Sequence, residues 1–148
     1  MKGNVFEPIS ENVFKKDAKY EDIGSHFFDA NGDGTLDLYV ASGGNTDINE
    51  ALLQDRLYIN KNGQFSRDAS ALPKINSSTM TISSFDFDKD NDLDLFVGGR
   101  NVPGAYPDKA TSYVLINNKG KFKKATMKDF YEALPLSLIH ISEPTRPY

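Results

Sequence analysis

The chain has no cysteine, no long apolar run and no excess of positive charge, and each absence excludes a class of protein. Without cysteine there is no disulfide scaffold, no thiolate metal site and no cysteine nucleophile. No apolar run approaches the ~20 residues that span a bilayer, so we expect no membrane insertion. The 17 Lys and Arg residues are outnumbered by 21 Asp and Glu, which excludes a strongly basic nucleic-acid binder.

The composition that is present is typical of one folded domain with an uneven distribution of acids. Of the 148 residues, 39% are hydrophobic and 26% are charged, which is too apolar and too weakly charged for a mostly disordered chain. Eight of the 21 acidic residues fall within two short segments, Asp29–Asp37 and Asp86–Asp94. These two acidic loops are the main functional signal of the sequence.

An internal repeat relates the two acidic loops. Residues 28–65 align with residues 85–122 without a gap at an offset of 57, and 11 of the 38 positions are identical. A weaker copy of the end of the repeat lies at Gly3–Phe6. The identical residues form three patches, represented in the first copy by Phe28, Asp29, Asp33, Leu36, Asp37, Leu38, Val40, Ile59, Asn60, Gly63 and Phe65.

Each repeat is predicted to contain about four short strands. Leu36, Leu38 and Val40 alternate with Asp37 and Tyr39, and the second copy alternates in the same way. The aromatic residues on the opposite side, Tyr39 and Phe96, predict that both faces of each sheet are covered. Segments 57–65 and 114–122 are typical of strand, Asn/Gly turn and strand, and 23–28 and 79–85 supply the leading strands.

Four-stranded units at this period are typical of β-propeller blades, with a solenoid of hairpins as the alternative. We therefore predict an all-β fold, a partial β-propeller of about two and a half four-stranded blades. Residues 1–27 would be the end of a preceding blade and a leading strand. Residues 28–84 would be the first blade repeat, and 85–135 a second, truncated one.

The acidic loops are predicted to bind Ca²⁺, about two ions in all, because alternate residues place hard oxygen ligands around one point. Position seven of each loop would contribute its backbone carbonyl, and position six needs a positive φ, which Gly34 and Asn91 tolerate. The predicted metal ligands are Asp29, Asn31, Asp33, Thr35 and Asp37 in the first loop and Asp86, Asp88, Asp90, Asp92 and Asp94 in the second.

The alternatives to a calcium loop in a β-protein are an EF-hand, metal-free turns and a Mg²⁺ site. An EF-hand needs a bidentate Glu at position twelve, where this chain has Val40 and Val97, and helices on both sides, where strands are predicted. Solvated turns would need no metal, but five carboxylates within Asp86–Asp94 would repel one another strongly without a cation. Mg²⁺ prefers a rigid octahedral shell and keeps most of its waters.

No residue pattern predicts catalysis, so we expect the chain not to be an enzyme. His26 has no Cys, Ser or second His at a recognisable spacing and is expected to be a strand residue. Gly43-Gly44 and Gly98-Gly99 open no phosphate-binding motif. The acidic residues that could pair for glycoside hydrolysis are those assigned to the metal.

Residues 28–40 and 85–97 resemble the calcium loops of VCBS/FG-GAP repeats, the blades of integrin-α-like propellers. The segments at 53–58 and 96–107 are more specifically similar to bacterial VCBS-repeat proteins of the ASPIC/UnbV type. The resemblance implies an extracellular or cell-envelope protein of about seven blades, in which Ca²⁺ is structural. It implies a parent that binds a protein or glycan ligand, or else a scaffold of a larger secreted enzyme or a purely structural repeat.

The C-terminal residues 136–148 share no pattern with the rest of the chain. They resemble the translation of a sequencing-library adapter and are expected to be non-native. Because about three repeats are needed to bury the faces of such units, two repeats alone are expected to be marginally stable or to self-associate.

Overall fold

The computed structural model describes residues 11–44, 49–75, 77–105 and 107–133. These residues form an all-β structure of two four-stranded antiparallel sheets with a few short helices. The predicted remnant at Gly3–Phe6 and the predicted non-native tail at 136–148 lie outside the described residues.

The two sheets are formed by consecutive strands and correspond to the two repeats. In the first sheet the order is β1 to β4, and in the second it is β5 to β8. The first-sheet strands are β1 (Asp22–Phe28), β2 (Asp37–Ser42), β3 (Arg56–Lys61) and β4 (Gln64–Arg67), and the second-sheet strands are β5 (Ser78–Phe85), β6 (Asp94–Asn101), β7 (Tyr113–Asn118) and β8 (Lys121–Lys124).

The helices are short and lie outside the sheets. They are α1 (Glu11–Lys15), a 3₁₀ helix (Glu50–Leu53) in the loop between β2 and β3, and α2 (Met127–Ala133). Neither α-helix in the described ranges approaches the length or apolar character that crossing a membrane requires.

The predicted hairpin turns are confirmed. β3 and β4 are joined at Asn62 and Gly63, with φ of 54° and 82°, and β7 and β8 are joined at Lys119 and Gly120, with φ of 49° and 85°. Two consecutive left-handed residues are the requirement of the tight turn that matches the twist of an antiparallel pair. The Asn/Gly signal therefore located both turns.

The sheets stack face to face, and their interface contains most of the core. Residues Gly24, His26, Phe28, Tyr39 and Ala41 lie on one face of the first sheet, here called its front face. This face packs against the opposite, back face of the second sheet, which carries Ile82, Ser84, Leu95, Val97 and Leu115. The 57-residue offset makes the front face of the second sheet equivalent to the front face of the first.

The expectation that both faces of each sheet are covered is correct for Tyr39 and wrong for Phe96. Tyr39 is fully buried between the sheets, whereas Phe96 lies on the front face of the second sheet and is 40% exposed. Leu36, which starts the predicted alternation, is also exposed because it lies in the acidic loop before β2 begins. The two stacked sheets are consistent with propeller blades but do not form a closed propeller.

Candidate metal centre

The two acidic loops connect the first two strands of each sheet and have left-handed residues at the same two positions. In the first loop Gly32 and Gly34 have φ of 75° and 82°, and the equivalent Lys89 and Asn91 in the second loop have φ of 65° and 72°. The predicted left-handed residue at position six is therefore present in both loops. The left-handed residue at position four was not predicted, and at Lys89 it is a strained conformation for a residue with a side chain.

The last acid of each loop is a buried anchor. The carboxylate of Asp37 accepts hydrogen bonds from the backbone N–H of Ala30 (3.1 Å) and of Asn60 (2.8 Å). The Asp94 carboxylate accepts from Phe87 N–H and Asn117 N–H, both at 2.7 Å. Burial raises the pKa of both groups, and the two N–H donors oppose that shift in each case.

In each repeat one asparagine, which was not predicted to have a role, connects the hairpin to the acidic loop. Asn60 donates its side-chain N–H to the Leu36 carbonyl (3.0 Å), and Asn117 donates to the Leu93 carbonyl (3.0 Å). Asn117 also donates to the Ala30 carbonyl at 2.9 Å, so the second sheet holds the first loop. The sequence carried a signal for both, because they are identical positions of the repeat.

In the first loop the polar side chains are engaged with the loop itself. The Asp29 carboxylate accepts from the backbone N–H of Gly32 (2.8 Å), Asp33 (3.2 Å) and Gly34 (2.8 Å). The Asp33 carboxylate accepts from Asn31 Nδ2 and from both the N–H and the hydroxyl of Thr35. These hydrogen bonds, those from Thr35 foremost, lower the pKa of Asp33.

The second loop has fewer internal hydrogen bonds and a cluster of acids. Asp86, Asp88 and Asp94 each place a carboxylate oxygen within 4.8 Å of those of the other two. Partial desolvation, followed by the charges of Asp94 and Asp90, raises the pKa of Asp88. Three converging anionic oxygens are a donor set that suits a hard divalent cation such as Ca²⁺.

The other two predicted ligands of the second loop, Asp90 and Asp92, do not belong to this cluster of three carboxylates. The Asp90 carboxylate accepts from Asp92 N–H (2.9 Å), and the Asp92 carboxylate accepts from Lys119 N–H (3.0 Å) in the β7–β8 turn. The structure therefore brings together Asp86, Asp88 and Asp94, and it gathers Asp29, Asn31, Asp33 and Thr35 through hydrogen bonds. The assignment of all ten residues as metal ligands remains a prediction.

His26 lies in β1 as predicted, and its Nε2 is 2.9 Å from the Ser84 hydroxyl on the facing sheet. This contact links the two facing sheets.

A buried polar group on this interface, Asp55, was not singled out from the sequence. Its carboxylate accepts from Thr79 Oγ1 (2.6 Å), Tyr39 Oη (2.7 Å) and Ser42 N–H (2.8 Å).

Comparison with known families identifies a repeat in this part of the chain. Residues 29–97 match the family model of the FG-GAP-like repeat. The matched range starts at the first acid of the first loop and ends in β6, so it contains both acidic loops. The FG-GAP-like repeat is thereby confirmed and indicates a β-propeller repeat segment. No curated protein and no solved structure is significantly similar to the chain.

Proposed function

We propose that this chain is a calcium-binding β-propeller repeat segment in which one Ca²⁺ ion sits in each acidic loop. The observation that carries the proposal is the convergence of Asp86, Asp88 and Asp94 in a loop of the FG-GAP-like repeat. Ca²⁺ takes six to eight oxygen ligands at roughly 2.3–2.6 Å, and it would remove the mutual repulsion of these carboxylates.

The role of the metal is structural. Each loop joins two strands whose positions are already fixed by Asp37 or Asp94 and by the asparagine of the hairpin. An ion that binds only the folded loop stabilises the fold by about 2.7 kcal/mol per site at a concentration 100 times its dissociation constant. The ion would thus hold the first two strands of each sheet together.

A calorimetric Ca²⁺ titration of the whole chain tests this proposal. We expect about two ions per chain, consistent with one per loop, and no binding to the double variant Asp29→Asn/Asp86→Asn, which removes the first acid of each loop. Asp108→Asn, an exposed acid outside both loops, is the matched control and should bind as the unmodified chain does. Binding to the double variant at full strength, or no heat from a folded chain, would contradict the proposal.

We further propose that the repeat is of the VCBS and ASPIC/UnbV type. The protein that contains it would be extracellular or part of a bacterial cell envelope, and it would bind a protein or glycan ligand. Millimolar calcium outside cells suits weak structural sites of this kind.

We assign no catalytic role to the segment itself. The hydrogen bond between His26 and Ser84 joins two half-buried side chains of facing sheets, and the acids of the second loop converge as a metal-ligand set.

Ligand binding is tested separately from metal binding. The calcium-saturated chain is presented to arrays of glycans and of purified envelope proteins, and the same arrays are probed after chelation. Binding that is lost on chelation supports an adhesion module. Absence of any ligand for a chain that does bind calcium would favour the purely structural repeat.

A further inference from the structure

Two sheet faces in the described part of the chain are open and apolar, and the repeat makes them complementary. The back face of the first sheet exposes Ile23, Ser25 and Phe27, the last being 53% exposed. The front face of the second sheet exposes Ser83, Phe85 and Phe96, with Phe85 at 37%. Exposed apolar patches of this kind are typical of interaction surfaces.

The chain already contains an example of the contact that these faces can make. Within the molecule, the front face of the first sheet packs on the back face of the second. The offset of 57 residues makes Phe85 equivalent to Phe28 and Phe96 equivalent to Tyr39, which are front-face residues buried in that contact. In the same way, Leu38 is equivalent to Leu95 and Val40 to Val97, which are buried on its other side.

We propose that the open front face of the second sheet binds the open back face of the first sheet in a second copy of this chain. Copies would then associate head to tail, repeating between molecules the sheet stacking that exists within one. Such a contact uses two different surfaces, so it can continue beyond a dimer.

A polar pair at the edge of the interface supports the same arrangement. Within the chain, the Thr79 hydroxyl donates to the Asp55 carboxylate across the two sheets, and Asp55 accepts from Ser42 N–H. The residues at the equivalent positions on the open faces are Asp22 for Thr79 and Ser112 for Asp55. Ser112 Oγ accepts from Gly99 N–H (3.1 Å) as Asp55 accepts from Ser42 N–H, and its hydroxyl group can in addition donate a hydrogen bond to a carboxylate.

Compared with the contact inside the chain, the hydroxyl and the carboxylate have exchanged sides, so the proposed contact still has one of each on opposite sides. Asp22 belongs to the back face of the first sheet, where it forms an ion pair with Arg56 and its side chain is 52% exposed. In the proposed dimer, Ser112 of one copy would donate to Asp22 of the other. The faces are therefore compatible in polar as well as apolar positions.

Helix α1 lies at one end of the back face of the first sheet and leaves the rest of that face open to the second copy. Phe14 contacts the rings of Tyr58 (5.1 Å) and Phe65 (6.0 Å) at one end of the back face. The equivalent residue of the second repeat, Ala71, lies in the linker beside the interface and accepts a hydrogen bond from Phe122 N–H. A cavity of about 460 Å³ remains on the back face between Phe14, Ile23, Ser25 and Leu38.

Sedimentation velocity over a range of concentrations tests the proposal, with excess Ca²⁺ present throughout. The unmodified chain should show a mass that rises with concentration. Ser83→Arg blocks the front face and Ser25→Arg blocks the back face, and each variant alone should remain monomeric. Met127→Arg, a large exposed residue on α2 outside both faces, should associate as the unmodified chain does.

The mixture of the two variants is the decisive experiment. Each variant keeps one intact face, so an equimolar mixture of Ser83→Arg and Ser25→Arg should form a 1:1 dimer and nothing larger. Phe96→Arg and Phe27→Arg give an independent pair if either serine variant loses its β-sheet circular dichroism. A monomeric unmodified chain, single variants that still associate, or a mixture of folded variants that stays monomeric would each overturn the proposal.

Discussion

The two repeats have the same strand order, but the carboxylates of their acidic loops accept hydrogen bonds from different donors. In the first loop, Asp29 and Asp33 are surrounded by N–H and hydroxyl donors of the loop itself. In the second, Asp86 accepts one such bond, from Asn91 N–H at 3.3 Å, and its carboxylate converges with those of Asp88 and Asp94. Loops with left-handed residues at the same two positions are thus held by different sets of hydrogen bonds in the two repeats.

The contrast lies in the middle of the loops, since the last acid of each loop is anchored by equivalent backbone N–H groups. Asp37 and Asp94 each accept two backbone N–H groups, one from the loop and one from the third strand of the sheet. Asp37 and Asp94 are therefore a common anchor of the two repeats.

The largest effect is expected from removing the anchors. Asp37→Ala and Asp94→Ala each leave two backbone N–H groups without their acceptor in a buried site, at about 1–3 kcal/mol per group. We expect each variant to lose about 4 kcal/mol of unfolding free energy, measured by urea denaturation in the presence of a chelator. A large loss in only one repeat would contradict the equivalence of the anchors.

A second difference between the repeats is Asp55, whose equivalent is Ser112. Burial raises the pKa of Asp55 to about 6, although its hydrogen bonds from Thr79, Ser42 and Tyr39 oppose the shift. Because this folded-state pKa is above the unfolded value, the stabilisation from the protonated carboxyl is complete below about pH 4 and is lost as the pH rises through about 6.

Replacing the ionisable group should remove that dependence. Two pKa units correspond to about 2.7 kcal/mol, so the stability of the unmodified chain relative to Asp55→Asn should fall by about that amount between pH 4 and pH 7. Chemical denaturation across this range, with chelator present, measures it. Asp108→Asn serves as control, and parallel curves for the chain and Asp55→Asn would contradict the assignment.

The calcium affinities should differ between the loops. Four carboxylates are predicted side-chain ligands in the second loop, where Asp92 would contribute its backbone carbonyl, and three in the first, and affinity rises with ligand charge. We expect Asp86→Asn to abolish the tighter of two binding events and Asp29→Asn the weaker, with the sites about tenfold apart, or about 1.4 kcal/mol. Loss of the tighter event in Asp29→Asn would show that preformed hydrogen bonds matter more than charge.

The smallest effect concerns the left-handed residue at position four. Lys89 has a φ of 65°, whereas its equivalent Gly32 adopts this conformation without strain. Lys89→Gly should stabilise the chain by about 0.5–1 kcal/mol, because relief of a 1–2 kcal/mol strain exceeds the added entropy of unfolded glycine. The reciprocal Gly32→Lys should destabilise it by a similar amount, and thermal denaturation of both variants provides the comparison.

Local patterns were sufficient to predict the strands, the hairpin turns and the loop positions. Period-two alternation located β2 and β6, and the Asn/Gly signals located both turns. These features depend on neighbouring residues, which is why the sequence predicts them. The left-handed Lys89 was missed because lysine carries no signal for a positive φ.

Features that depend on distant residues were not predicted. Asp55 is buried by contacts with Tyr39 and Thr79, and the pairing of Asp94 with Asn117 N–H joins residues of different strands. The opposite exposures of Tyr39 and Phe96 depend on which sheet faces a neighbour. Nor does spacing alone show that the two loops differ in how their carboxylates are satisfied.

A crystal structure of the chain grown in excess Ca²⁺ tests the central claim most directly. We expect one ion in each acidic loop, with Asp86, Asp88 and Asp94 among the oxygen ligands of the second and all ligands at about 2.3–2.6 Å. Folded loops without an ion at saturating calcium, with the carboxylates of the second loop turned apart into solvent, would contradict it.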